Sequence, residues 1–347
     1  MSDVLINPAR VRRVKPLSAE EVVSAVERAL LTEVRLTPKP GLVDIRNAGA
    51  HWDMDLASFE ASTAVVAPWM EKFFIMGHDT AAVAPEHVLM MLRPVGMACE
   101  NDMLEATGGV NTHRGAIFAF GLLSAAAGRL VSKGEPIEQH RLCDQVARFC
   151  RGMVMQELSS AGGERLSKGE AHFLRYGLSG ARGEAESGFL TVRTQAMPVF
   201  TRMMEETGDS NLALLQTLLH LMAWNDDTNL VSRGGLAGLN FVQQEAQRLL
   251  WQGGVLADGG LEALRQFDDE LIARHLSPGG SADLLAVTWF YPRFPPARFS
   301  RCNPLQNRLR PHCTGEGTII SLPGCHPVNT ESRHNRIVFT DIVRRLS

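Results

Sequence analysis

Apolar residues recur with helical spacing along most of this chain, from about residue 18 to residue 290. Val22, Val26, Ala29 and Leu30 follow the i, i+4, i+7, i+8 stripe of a single helix face. Ahead of that stripe, Ser18 and Glu21 have capping-box spacing, with Leu17 placed to staple onto Val22. Further helices are predicted at about 56–76, 85–92, 115–132, 139–157, 189–206, 211–224, 236–252, 261–275 and 281–290. Pro85 suits a first helical position and Pro94 is expected to close its segment, while Pro68 and Pro198 should kink or divide theirs. β-branched residues appear singly, and no alternating run is bounded by hairpin chemistry before residue 290. The prediction is an all-α fold: a single multi-helix globular domain over 18–291, after a short N-terminal extension at 1–17.

The pattern changes at Pro292. From there to Ser347 the chain carries nine arginines, no lysine and three acidic residues, with little periodicity. This segment, 292–347, reads as a poorly structured C-terminal tail outside the domain. Composition changes the rest of the picture little. A chain of 347 residues with 45% hydrophobic content can bury a large core. A formal net charge of −3 gives no ground for nonspecific binding to nucleic acid or membranes. Cys99, Cys143 and Cys150 lie in apolar helical context without C-x-x-C spacing, as reduced structural thiols do. The amino terminus lacks a charged segment followed by an apolar core, so a cytoplasmic protein is expected.

The chemistry is concentrated between the helices. Thr37 to Asp55 places Lys39, His51, Asp44, Asp53 and Asp55 on a turn stiffened by Pro38 and Pro40, a composition suited to holding a polyanion or a metal. Glu33 falls on the inward stripe of the first helix, where a carboxylate must be paired or metal-bound. Asn111, Thr112, His113 and Arg114 stand at the start of an apolar helix, a natural phosphate site because its amides are unpaired and its dipole favours anions. Asp102, beside Glu100, and Asp226 with Asp227, set between Asn225 and Asn229, are clusters of hard oxygen ligands that favour Mg2+. Asp226 and Asp227 read as acids at a helix C-terminus, which opposes the macrodipole and calls for another partner. Arg233 before Gly234-Gly235 has the fork geometry to grip phosphate, and Arg182 with Glu184 repeats that theme. Asp283, in a first helical turn, fits either the helix dipole or catalysis. No nucleophile elbow, dinucleotide loop or Walker loop is present. The inventory suits metal-assisted acid/base chemistry on a phosphorylated substrate.

At these residues the chain resembles the triphosphoribosyl-dephospho-coenzyme A synthase family, which serves citrate lyase and, in a sister branch, malonate decarboxylase. The resemblance runs in order from about residue 25 to 290. It is carried by Leu31-Thr-Glu33, Thr37-Pro-Lys39-Pro-Gly-Leu-Val-Asp44, Gly49-Ala-His51 with Asp53, and Leu92-Arg93-Pro-Val-Gly. It continues through Gly109-Val-Asn-Thr-His113, Gly180-Ala-Arg-Gly-Glu184, Asn225 to Asn229, Ser232-Arg-Gly-Gly235 and Ser277-Pro-Gly-Gly-Ser-Ala-Asp283. It implies an all-α transferase that joins ATP to 3′-dephospho-CoA, releases adenine, and hands its product to a transferase acting on an acyl carrier protein. Under that reading Asp102, Asp226 and Asp227 hold Mg2+. Lys39, Arg114 and Arg233 grip phosphates, with Asn111, Thr112, His113 and Arg182 beside them. Glu33 or His51 is the base, and Asp53 and Glu184 complete the catalytic set, Glu184 near the ribose. The malonate decarboxylase branch, and a magnesium-dependent phosphoribosyl or ADP-ribosyl hydrolase, stand as alternatives.

Overall fold

The computed structural model describes residues 17–158 and 168–296. The expected tail beyond 296 and most of the N-terminal extension lie outside the described residues. Among the described residues the chain is helical, with no strand. The first helices are α1 (Ala19–Arg35), α2 (Leu56–Asp79), α3 (Pro85–Ala106), α4 (Arg114–Ser132), α5 (Gln139–Phe149) and α6 (Met153–Leu158). Then follow α7 (Lys168–Tyr176), α8 (Gly180–Glu186), a π-helical turn at Val192–Ala196, α9 (Met197–Thr207) and α10 (Ser210–Trp224). The last are α11 (Thr228–Trp251), α12 (Gly260–Ala273) and α13 (Gly279–Phe290). Tyr291 and Phe294 are buried just past α13, so packing continues beyond the boundary expected at 291.

Two helices form the centre, α4 and α10, and both are apolar nearly all round, as buried helices are. Among the described residues α4 alone is long and apolar enough to cross a membrane, yet most of it is buried by the surrounding helices. Its small residues let α2 lie almost backbone to backbone on it. A Cβ at Gly77 would fall 1.9 Å from the carbonyl oxygen of Ala125, and one at Gly128 would fall 2.0 Å from that of Phe74. Neither neighbour is a side chain that can swing away. Gly128→Ala is therefore expected to force the two helices apart and cost about 3 kcal/mol, which thermal unfolding would register as a midpoint roughly 6–10 °C lower.

Where the helices differ from expectation, local chemistry explains it. The capping box of Ser18 and Glu21 is present, and Val22, Val26, Ala29, Leu30 and Glu33 are buried as their stripe requires. Pro94 does not close α3, which runs on to Ala106, and Pro68 lies inside α2. Both prolines are on exposed helix faces, where water can serve the carbonyl that each leaves unpaired. Gly180–Glu186, read as a loop, is the short helix α8. The helix predicted from 236 is the second half of α11. Gly235, at φ 62° and ψ −166°, breaks the backbone there, and a first half starts at Thr228. Asp227 is the N-cap of that first half, so it stands at a helix start and does not oppose a dipole. Cys99, Cys143 and Cys150 are buried free thiols, held far from ionisation by desolvation at about 12, 11 and 12.

Candidate active site

The turn after α1 is fixed by two buried carboxylates. Asp44 accepts from the Thr37 hydroxyl at 2.7 Å and from the amides of Lys39, Arg46 and Asn47 at 3.0, 2.6 and 3.1 Å. Asp268, from α12, accepts from the Gly41 amide, Arg46 Nη1 and Asn47 Nδ2, each at 2.8 Å. Of the three aspartates expected here to serve a ligand, Asp44 therefore builds the turn. Asp55 caps α2 through the Ser58 amide at 2.9 Å, and only Asp53 faces the cavity below. The frame aims Lys39 inward. Lys39 is 1% exposed, and its ammonium lies 2.5 Å from Glu33, itself 7% exposed. Burial raises the Glu33 carboxyl above its ordinary value, and Lys39 draws it back.

This pair stands in the wall of a cavity of about 910 Å3. On another wall, the start of α4 presents Asn111 to Arg114. Asn111 Oδ1 accepts the Arg114 amide at 3.1 Å, and the Thr112 hydroxyl donates to Ser62 at 2.7 Å. Ser62 lies 2.7 Å from His113 Nδ1, and Phe59 packs edge-on to the same imidazole. The other ring nitrogen, Nε2, is buried with no partner among the described residues. Desolvation, with Lys39 nearby, lowers His113 to about 3, so it is a neutral ring.

Four arginines, Arg93, Arg114, Arg182 and Arg233, also line the cavity. Arg233 is anchored by the carbonyls of Ala50 and His275 at 3.1 and 3.3 Å, with Nη2 3.0 Å from His51 Nδ1. His51 Nε2 meets the Ser277 hydroxyl at 2.9 Å. Burial and Arg233 lower His51 to about 4 despite Asp53, 3.7 Å away. Arg182 bonds Glu157 at 2.9 Å, and Arg93 pairs with the other oxygen of the same carboxylate. Arg114 pairs with Glu100. Glu184 accepts from the hydroxyl and amide of Thr191, at 2.5 and 3.3 Å, and burial raises it.

Thirteen of the fourteen residues to which the family resemblance gives roles line this cavity: Glu33, Lys39, His51, Asp53, Asn111, Thr112, His113, Arg114, Arg182, Glu184, Asp226, Asp227 and Arg233. Asp102 does not. Its carboxylate accepts Trp69 Nε1 at 2.8 Å on an exposed face of α3, so the three-aspartate magnesium set does not assemble. Asp227 is also occupied, since its oxygens accept the Ser281 amide and hydroxyl at 2.8 and 3.0 Å and the Asn229 amide at 2.9 Å. Among the described residues no group of three His, Cys, Asp or Glu side chains is arranged to hold a metal. Exposed Asp226 remains the accessible carboxylate of that loop. Sequence reasoning passed over Glu157, Ser62 and, as a functional group, Arg93. They sit on helix faces whose spacing gives no sign of a cavity.

Residues 19–298 match the family of ATP:dephospho-CoA triphosphoribosyl transferases. The chain is 99% identical over 295 residues to a 2-(5''-triphosphoribosyl)-3'-dephosphocoenzyme-A synthase of Klebsiella pneumoniae, covering 85% of this chain and 98% of that protein. It is 70% identical over 295 residues, with the same coverage, to a probable synthase of that name from Salmonella typhimurium. It is 67% identical over 296 residues to the synthase of Escherichia fergusonii, again with 85% and 98% coverage. No solved structure matches the chain. A match over four-fifths of the sequence places this chain in the ATP:dephospho-CoA triphosphoribosyl transferase family.

Proposed function

We propose that this enzyme joins ATP to 3′-dephospho-CoA, giving 2′-(5″-triphosphoribosyl)-3′-dephospho-CoA and adenine, the precursor of the citrate lyase prosthetic group. The observation that carries the reading is one cavity of about 910 Å3 that combines the buried Lys39–Glu33 pair with Arg93, Arg114, Arg182 and Arg233. Its size suits two nucleotides better than one. Both substrates are polyanions, and an arginine whose partner is a single shared or exposed carboxylate keeps N–H donors for phosphate oxygens.

The reaction substitutes at the anomeric carbon of ATP and keeps the triphosphate whole. As the ribose–adenine bond lengthens, positive charge grows on the sugar, and carboxylates around the cavity offset it, as in glycoside chemistry. Glu33 suits the base, because the Lys39 ammonium 2.5 Å away favours its carboxylate form, which can accept the 2′-hydroxyl proton of dephospho-CoA. His51 is neutral and bonded on both nitrogens, so its task is to fix Arg233 against the phosphates. Glu184 and Asp53, both in the cavity wall, would meet ribose hydroxyls.

Magnesium fits as an ion arriving on the triphosphate, since it commonly takes one or two carboxylates plus ligand phosphates. Asp226 would hold it, with Asn225 and Asn229 also lining the cavity; bound there, it would neutralise phosphate charge. Asp226→Asn is expected to raise the half-saturating magnesium concentration about tenfold, the loss of about 1.4 kcal/mol, with maximal turnover retained at high magnesium. A titration of adenine release against magnesium checks this.

The product then passes to a transferase acting on an acyl carrier protein, and the enzyme works in the cytoplasm, where ATP is supplied. The test of the reaction itself is incubation with ATP, magnesium and dephospho-CoA, followed by mass analysis. Adenine and the joined product should appear in equal amounts. Adenine released equally well without dephospho-CoA would mean a hydrolase.

A further inference from the structure

Asp283 is a carboxyl group in the cavity wall to which the roles above give no task. It is the fifth residue of α13, placed there by the turn at Ser277–Gly280. Its own carboxylate has no hydrogen bond or ion pair with the described residues, and its two charged neighbours, Glu33 from α1 and Asp227 at the start of α11, are also acids. The cation nearest Glu33 is already bound to it, and Asp227 is saturated by Ser281 and Asn229. On the α4 side the packing is close, since a Cβ on Gly115 would lie 1.9 Å from Asp283 Oδ2, while the partly exposed carboxyl still faces the cavity. Glycine at that position leaves space for a carboxyl group between the α4 start and the cavity. A dipole-compensating role is available to any acid in a first turn. It does not account for an acid packed without a partner among two others, an arrangement that costs stability.

We infer that Asp283 is the general acid that protonates N7 of adenine as the ribosyl bond of ATP breaks, an assignment that rests on the reaction proposed above. The O–H proton of Asp283 goes to N7, the C1′–N9 bond breaks, and its electron pair passes to the purine ring. The 2′-hydroxyl oxygen of dephospho-CoA forms the new bond to C1′, and its proton goes to Glu33. Adenine leaves neutral, and transfer of the proton from Glu33 back to Asp283 through solvent restores both groups. Two neighbouring carboxyls with opposite surroundings are what such a division needs. Burial, Glu33 and Asp227 hold Asp283 well above the usual carboxylate range, whereas Lys39 works against the rise at Glu33.

The experiment compares wild type and Asp283→Asn on ATP and on 7-deaza-ATP, which has carbon in place of N7. On ATP the variant should lose about 10²- to 10⁴-fold in kcat, with the KM of each substrate little changed. On 7-deaza-ATP, already slow for the wild type, the two proteins should be equal. The fold supplies a second readout. A group raised above its ordinary value of 3.8 contributes stability that is complete below that value and lost as pH rises through its folded value. Asp283→Asn should therefore melt at or above the wild-type temperature at pH 7.5, the advantage fading toward pH 4. A variant that keeps more than about a tenth of wild-type kcat on ATP, or that loses the same factor on both nucleotides, overturns the assignment. A wild type that releases no adenine in response to dephospho-CoA removes the reaction instead, and the assignment with it.

Discussion

Lys39→Met is expected to lose both turnover and stability, and the two losses should separate in a double mutant. Methionine fills most of the lysine volume but leaves Glu33 buried without its cation. Breaking a buried pair from one side costs about 3–5 kcal/mol. The remaining carboxyl would lower that cost by taking up a proton, which removes the base and should reduce kcat about 10²- to 10⁴-fold. Glu33 is already raised by burial, so its contribution to stability is complete below its ordinary value of 4.5 and declines as pH rises through the folded value. The Lys39→Met penalty should accordingly grow between pH 4 and pH 8. Adding Glu33→Gln removes the stranded charge, so the double mutant should regain most of the thermal midpoint while staying inactive. Thermal unfolding across that pH range, with adenine release on the same preparations, checks each part. A double mutant as unstable as Lys39→Met would mean that the loss comes from packing and not from the ion pair.

This pair shows how much of the site could be read from sequence. Glu33 was legible because period 3.6 put an acid on a buried stripe, and Lys39 because two prolines and a glycine marked a fixed turn. Both signals are local. What joins them depends on Asp268, more than 220 residues away, holding the turn against α12, and no spacing rule reports such a contact. The same limit explains Asp102 and Asp227. Acid clusters beside amides look alike whether they bind a cation, cap a helix or hold a tryptophan; the partner decides, and the partner is distant in sequence. Arg93 and Glu157 were hidden for a related reason, as each is an ordinary polar residue of a helix until α3, α6 and α8 meet. The fold was more accessible because burial repeats along every helix. Its misplaced ends include those at Pro94 and Gly235, where one residue overrides the repeat, and the break between Phe149 and Met153 in the helix expected over 139–157.

Asp227 and Asp226 offer the sharpest separation of neighbours, one expected to hold the fold and the other to act on magnesium. The Asp227 carboxylate ties the start of α11 to the start of α13, which carry Arg233 and Asp283 into the cavity. Asp227→Ala removes an N-cap worth about 1 kcal/mol and leaves the buried Ser281 amide and hydroxyl without an acceptor, a further 1–3 kcal/mol or so. A total of about 3 kcal/mol should lower the thermal midpoint by roughly 6–10 °C. Activity should fall even at temperatures where the variant is folded, because both helix starts lose their common anchor. Excess magnesium should not restore it. Asp226→Asn, on an exposed side chain, should leave stability within about 0.5 kcal/mol of wild type, with its turnover recovered by magnesium. If Asp227→Ala kept its midpoint and regained turnover with added magnesium, the carboxylate would belong to the metal after all, and the contacts to Ser281 would be incidental.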